Sequence, residues 1–80
     1  MLIRIVPQAS EQQARNNLGR AVEDRGEDLT GLSRLLGRHA GYLGRYVRRG
    51  SPAMLLPSER AVLASYLRIS EQALGAPMET

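Results

Sequence analysis

From Thr30 to Gly50 apolar residues recur at helical spacing on both sides of one glycine, Gly37. That interruption dictates the local fold, two short helices joined by a tight turn. Thr30 is placed to cap the first helix, which runs to about Leu36 with Leu32, Leu35 and Leu36 facing inward. The second spans about Ala40 to Arg49, with Leu43, Tyr46 and Val47 inward and Gly50 at its end. Gly37 can take the positive φ that such a turn requires. Ser33, four residues before it, supplies the small side chain needed where the second helix crosses the first. Leu32 and Leu36 meet Leu43 and Tyr46 or Val47 at that crossing.

The same segment holds the charge. Gly31 to Gly50 contains five arginines (Arg34, Arg38, Arg45, Arg48, Arg49) and no acid. Residues 1–30 carry four arginines against five acids, and residues 51–80 carry two against three. The balance is −1, +5 and −1, which sums to the net +3 of the chain. A local cationic helix pair in a small domain points first to nucleic acid. All 11 cations are arginine, whether through genome composition or function. Arginine forks match phosphate oxygens and guanine edges bidentately, which lysine cannot do.

Other classes are excluded on composition. Eighty residues allow one domain with a small core. Without cysteine there are no disulfides and no thiolate metal sites, and a single histidine, His39, cannot build a zinc site. No apolar run reaches the roughly 18 residues of a membrane span, and Leu2–Val6 is too short for a signal peptide. A cytoplasmic protein is expected. The serines have no acid–histidine arrangement around them, and no phosphate-binding glycine loop is present, so neither an enzyme nor a cofactor is expected. Three tyrosines and no Phe or Trp are too few rings for a single-strand stacking platform.

The flanks complete an all-α domain. Leu2-Ile3-Arg4-Ile5-Val6 reads as extended and Pro7 stops it; it is an arm, a tuck against helix one, or half of an intermolecular ribbon. Ser10-Glu11-Gln12-Gln13 has the form of a capping box, opening a helix over about 11–25 with Ala14, Leu18, Ala21 and Val22 on one face and Gly26 beyond its end. Glu23, Asp24, Glu27 and Asp28 make a solvated helix end around Gly26. After a loop from Ser51-Pro52, Pro57 starts a fourth helix whose core face is Ala61, Val62, Tyr66 and Leu67, with Glu59 favoured by the helix dipole. Ser70 caps a last short helix, Glu71 to Leu74, closed by Gly75 and Pro77. The expected organisation is an extended N-terminal arm (1–9), a helical domain (10–75) and a tail or start of a linker (76–80).

Residues 30–50, Thr-Gly-Leu-Ser-Arg-Leu-Leu-Gly-Arg-His-Ala-Gly-Tyr-Leu-Gly-Arg-Tyr-Val-Arg-Arg-Gly, resemble the helix-turn-helix core of the phage-repressor-like (Xre/Cro/CI) transcriptional regulators. Residues 63–75 are similar to the helix-four to helix-five segment of that family, and the resemblance covers about residues 11–75. The phrasing also resembles repressor N-termini that precede a LexA-like peptidase or dimerisation domain, which implies the DNA-reading part of a longer protein. The implied fold is a compact five-helix lambda-repressor-like DNA-binding domain. The implied function is sequence-specific binding of double-stranded DNA by a transcription regulator, as a homodimer, in the cytoplasm on the nucleoid.

Carried over by position, His39, Ala40, Gly41, Tyr42, Gly44 and Arg45 face the major groove. Of these, His39, Gly41, Tyr42 and Arg45 are the expected base contacts, with Arg45 forking onto guanine. Thr30, Arg34, Arg38, Arg48, Arg49 and Ser51 are the expected phosphate contacts. Neutralising five to six phosphates would give a log K against log salt slope of about −5. Ala40 and Gly41 stand where relatives often carry glutamine, serine or asparagine. The alternative is therefore a protein-interaction module that keeps the fold without specific DNA readout. Membrane and small-molecule partners are not expected.

Overall fold

A computed structural model describes residues 9–77. The Leu2–Val6 segment and the residues after Pro77 lie outside them. Four α-helices follow one another: α1 (Glu11–Asp24), α2 (Leu29–Leu35), α3 (Tyr42–Arg49) and α4 (Pro57–Leu67). Among the described residues there is no strand. The short fifth helix expected at Glu71–Leu74 is a single 3-10 turn, Gln72–Leu74. The Ser70 hydroxyl accepts from the Ala73 amide there at 3.1 Å.

α1 forms as its sequence predicts. Ser10 Oγ accepts from the Gln13 amide (3.1 Å) while the Ser10 amide donates to Gln13 Oε1 (3.0 Å). This reciprocal pair satisfies two of the amides left open at a helix start. Ala14, Leu18, Ala21 and Val22 are buried, and Gly26 at φ 66° lets the chain leave.

α2 is capped by Asp28, not by Thr30. The Asp28 backbone is extended, and its Oδ1 accepts from the Gly31 amide at 2.6 Å. Thr30 lies already inside the first turn and is exposed. Leu32 and Ser33 are buried, Leu36 is half-buried, and Leu35 points out with 51% of its surface exposed. Gly37 turns the chain at φ 75°. α3 begins at Tyr42, two residues later than its apolar pattern suggests. Ala40 and Gly41 are spent in the turn, where the Tyr42 amide donates to the His39 carbonyl at 3.1 Å.

α4 is rotated from the expected orientation. Of Ala61, Val62, Tyr66 and Leu67, only Leu67 is inside. The inward residues are Glu59, Arg60, Leu63, Ala64 and Leu67. Both charged residues of this helix are thus turned inward, at 5% and 8% exposure, while Val62 and Tyr66 stay 43% and 47% exposed. The cause is a set of polar contacts that hydrophobicity cannot register. Glu59 is held by Arg38 and Tyr42, and Arg60 Nη1 donates to the Leu55 carbonyl at 3.3 Å.

The core lies between the helices, its largest fully buried side chains being Tyr46, Leu18, Leu43, Leu63, Leu67 and Leu74. Each contributes about 1.5–3 kcal/mol of burial. The 3-10 turn docks on α1 through Asn17, whose Nδ2 donates to the Ala73 carbonyl at 2.9 Å. Packing extends beyond the expected domain end at 75. Ala76 is buried and its amide donates to the Glu71 carbonyl.

Candidate nucleic-acid interface

The pairing of α2 with α3 rests on Ser33, which is fully buried. Its hydroxyl donates to the Leu29 carbonyl one turn back (2.7 Å) and accepts from the Leu43 amide in the first turn of α3 (3.0 Å). A side chain of this size lets the two backbones approach, and its oxygen takes an amide that the start of α3 leaves open. With Leu43 and Tyr46 buried and Val47 half-buried, the opposite side of α3 is fixed by the helical period.

That outer side carries Gly41, Arg45 and Arg48 at i, i+4 and i+7, with Arg49 beside Arg45; all four are exposed. Gly44, expected to face a groove, is instead buried. The Arg48 guanidinium folds back over it, so that a Cβ built at Gly44 would lie 2.5 Å from Arg48 Nη2. Ala40 is half-buried. The outward stripe therefore joins Arg48, expected at a phosphate, to the two expected base-facing positions Gly41 and Arg45. Across α2, Arg34 is also exposed.

Beside the start of α3 sits a polar knot. Glu59 Oε2 accepts from Arg38 Nε at 2.7 Å and its Oε1 accepts from the Tyr42 hydroxyl at 2.6 Å and the Leu56 amide at 3.2 Å. The Arg38 guanidinium lies over the Tyr42 ring at 4.6 Å, and the edge of His39 meets that ring at 6.1 Å. Burial pushes the Glu59 carboxyl up, but the bonds from Tyr42, Arg38 and the Leu56 amide outweigh it and hold the carboxyl below its ordinary value. Burial first, then the bond to Glu59, push the Tyr42 phenol up to about 12. The phenol is therefore a fixed donor at neutral pH. Its hydroxyl proton is committed to Glu59, so the expected base contact falls to the partly exposed ring.

Arg38 to Glu59 is the one ion pair among the described residues. Arg34, Arg45, Arg48 and Arg49 have no carboxylate within 4 Å among those residues. Arg38, His39, Tyr42, Arg45 and Ser51 border one open depression beside the loop after α3. Thr30 does not join them. It lines a separate hollow with Glu23, Glu27 and Asp28, into which Arg48 reaches from α3. At the α2 N-terminus the Asp28 carboxylate already takes the Gly31 amide and places a negative charge where an anion would sit.

Two contributors escaped the sequence reading. Glu59 anchors Arg38 and Tyr42; its position in the first turn of a helix was visible, but partners 21 and 17 residues away were not. Arg15 reaches from α1 to the end of α3, where a Cβ on Gly50 would lie 3.2 Å from its guanidinium. A cation there is favoured by the α3 dipole, and no sequence signal couples it to Gly50.

Among the described residues no group of three His, Asp or Glu side chains could hold a metal ion, and no helix is long and apolar enough to cross a membrane. The chain matches no protein-family model, no curated protein and no solved structure.

Proposed function

We propose that this chain is a sequence-specific, double-stranded-DNA-binding domain of a transcription regulator, a lambda-repressor-like helix-turn-helix acting in the cytoplasm on the nucleoid. One observation carries the reading. The outer face of α3 bears three exposed arginines, Arg45, Arg48 and Arg49, with no carboxylate partner among the described residues. Unpaired guanidinium groups on a solvent-facing rod are what a polyanion neutralises. An α-helix is the element that the major groove admits.

In this reading Arg45 and Arg48 enter the groove, one and two helical turns past Gly41. Each guanidinium that forks onto guanine O6 and N7 contributes about 1–3 kcal/mol of discrimination. Gly41 reads no base; lacking a side chain, it lets the backbone approach the duplex. His39 and the Tyr42 ring edge flank the same end. Arg34, Arg38, Arg49 and Ser51 meet phosphates, with Arg38 oriented by Glu59. The hollow containing Thr30 is acidic, so Thr30 is not assigned to a phosphate. The protein acts by binding and not by catalysis.

The experiment is selection of bound sites from a random duplex library with the full chain. A recovered motif rich in G·C pairs at two neighbouring positions supports the reading. Recovery of no motif, together with binding equally tight to any duplex, removes sequence-specific readout. The absence of any duplex binding removes the DNA function and leaves a protein-interaction module.

A further inference from the structure

Two large apolar side chains stand exposed beside the arginine face. Leu56, at the entry to α4, is 51% exposed, and Met54 is 39% exposed. With Pro52 they border the same depression that Arg38, Tyr42 and Arg45 border from the motif. Among the described residues no acid lines it. This apolar wall is held in place from behind. Glu59 Oε1 accepts from both the Leu56 amide and the Tyr42 hydroxyl, while Oε2 accepts from Arg38. The end of Met54 lies against Gly75, where a built Cβ would be 3.3 Å from Met54 Cε. Exposed apolar surface that is already fixed in position is suited to an apolar group on a partner.

We propose that this wall receives the C5-methyl group of a thymine beside the guanine that Arg45 reads, with Leu56 as the residue that selects it. The assignment rests on the DNA-binding function proposed for the chain and adds a base that arginine does not recognise. Chemistry selects the occupant. A cationic, acid-free rim draws a polyanion. Of the groups a duplex displays in its major groove, the thymine methyl is the apolar one. An arginine fork satisfies guanine O6 and N7 but offers a methyl group nothing. Leu56 and the partly exposed Tyr42 ring offer it contact. Position agrees. Arg45 lies on the outward stripe of α3 and borders the same depression as Leu56, so the base pair next to its guanine is the one within reach of the wall.

The two side chains then do different work on neighbouring base pairs. Arg45 supplies a charged fork, and Leu56 supplies contact with one methyl group. Removing that methyl from water is worth about three- to fivefold in affinity. Leu56 carries no charge, so it neutralises no phosphate and its loss leaves the salt dependence of binding unchanged.

The test uses the full 80-residue chain and the duplex recovered by site selection. Each thymine in turn is replaced by deoxyuridine, which lacks only the methyl group. Binding should weaken about three- to fivefold at a thymine beside the guanine and change little elsewhere. Leu56→Ala should bind the thymine duplex about three- to fivefold more weakly than the native chain does, yet bind the uracil duplex as the native chain does. Its salt slope and far-UV circular dichroism should stay native, because the Leu56 side chain is exposed. A merely structural role for Leu56 would weaken both duplexes alike, and that result overturns the proposal. So does a selected site with no thymine beside the guanine, uracil tolerated at every position, or an L56A chain that keeps the native uracil penalty. Each of these leaves duplex binding standing. A native chain that binds no duplex removes the DNA function and the proposal together.

Discussion

The hydroxyl of Ser33 accepts the Leu43 amide at 3.0 Å from inside a fully buried crossing of α2 and α3. One oxygen thereby fixes where the second helix of the motif begins and which side of it faces water. Ser33→Ala strands a buried N–H and is expected to cost about 1–2 kcal/mol. Urea unfolding followed by circular dichroism measures it, and a loss below 0.5 kcal/mol contradicts this role. Ser33→Leu adds volume where the backbones meet and should abolish cooperative unfolding.

Glu59 ties the start of α4 to the start of α3. Its carboxyl titrates below the ordinary 4.5 in the folded chain. A lowered folded value means that its contribution is present above the unfolded value and is lost as pH falls through the folded one. Glu59→Gln should therefore lower stability at pH 7 by about 1–2 kcal/mol, and the gap to the native chain should close as pH falls through the lowered folded-state value. A gap of constant size across pH 3–7 in thermal unfolding would show that the charge is irrelevant.

Arg60 is 8% exposed, and its Nε has no hydrogen-bond partner. Among the described residues no carboxylate lies within 4 Å of it. A buried guanidinium met by one carbonyl is a standing cost, and an apolar chain of similar length removes it. Arg60→Met is expected to stabilise by about 1 kcal/mol, raising Tm by roughly 4–8 °C in a domain of this size. Differential scanning calorimetry decides the sign; a lower Tm would mean that the guanidinium is well solvated or paired.

Much of this was legible because it rests on local chemistry. The capping box at Ser10, the turn at Gly37, the small residue at Ser33 and the stop at Gly50 each follow from one residue type in one backbone setting. The errors share a physical cause. Thr30 and Asp28 both suit a helix start, and only the path of the chain after Gly26 selects Asp28. On α4, Val62 and Tyr66 are the more apolar residues, yet Glu59 and Arg60 took the inside because Arg38, Tyr42 and the Leu55 carbonyl meet them there. Such partners, several to 21 residues away, leave no periodic trace. The same holds at the candidate site, where Arg45 and Gly41 could be placed by counting along α3. The folding of Arg48 over Gly44 and the capture of the Tyr42 hydroxyl by Glu59 could not.

The account's central claim is that the outer face of α3 meets a duplex through its arginines. Fluorescence anisotropy of a labelled duplex carrying the selected site, titrated with the full chain at several salt concentrations, tests it most directly. The three arginines assigned to phosphates, Arg34, Arg38 and Arg49, give an expected slope of log K against log salt of about −3. Arg45→Ala with Arg48→Ala should weaken binding to the selected site at least a hundredfold and abolish its preference over an unrelated duplex, with little change in slope. A native affinity indifferent to salt, or a double variant that binds as the native chain does, would contradict it.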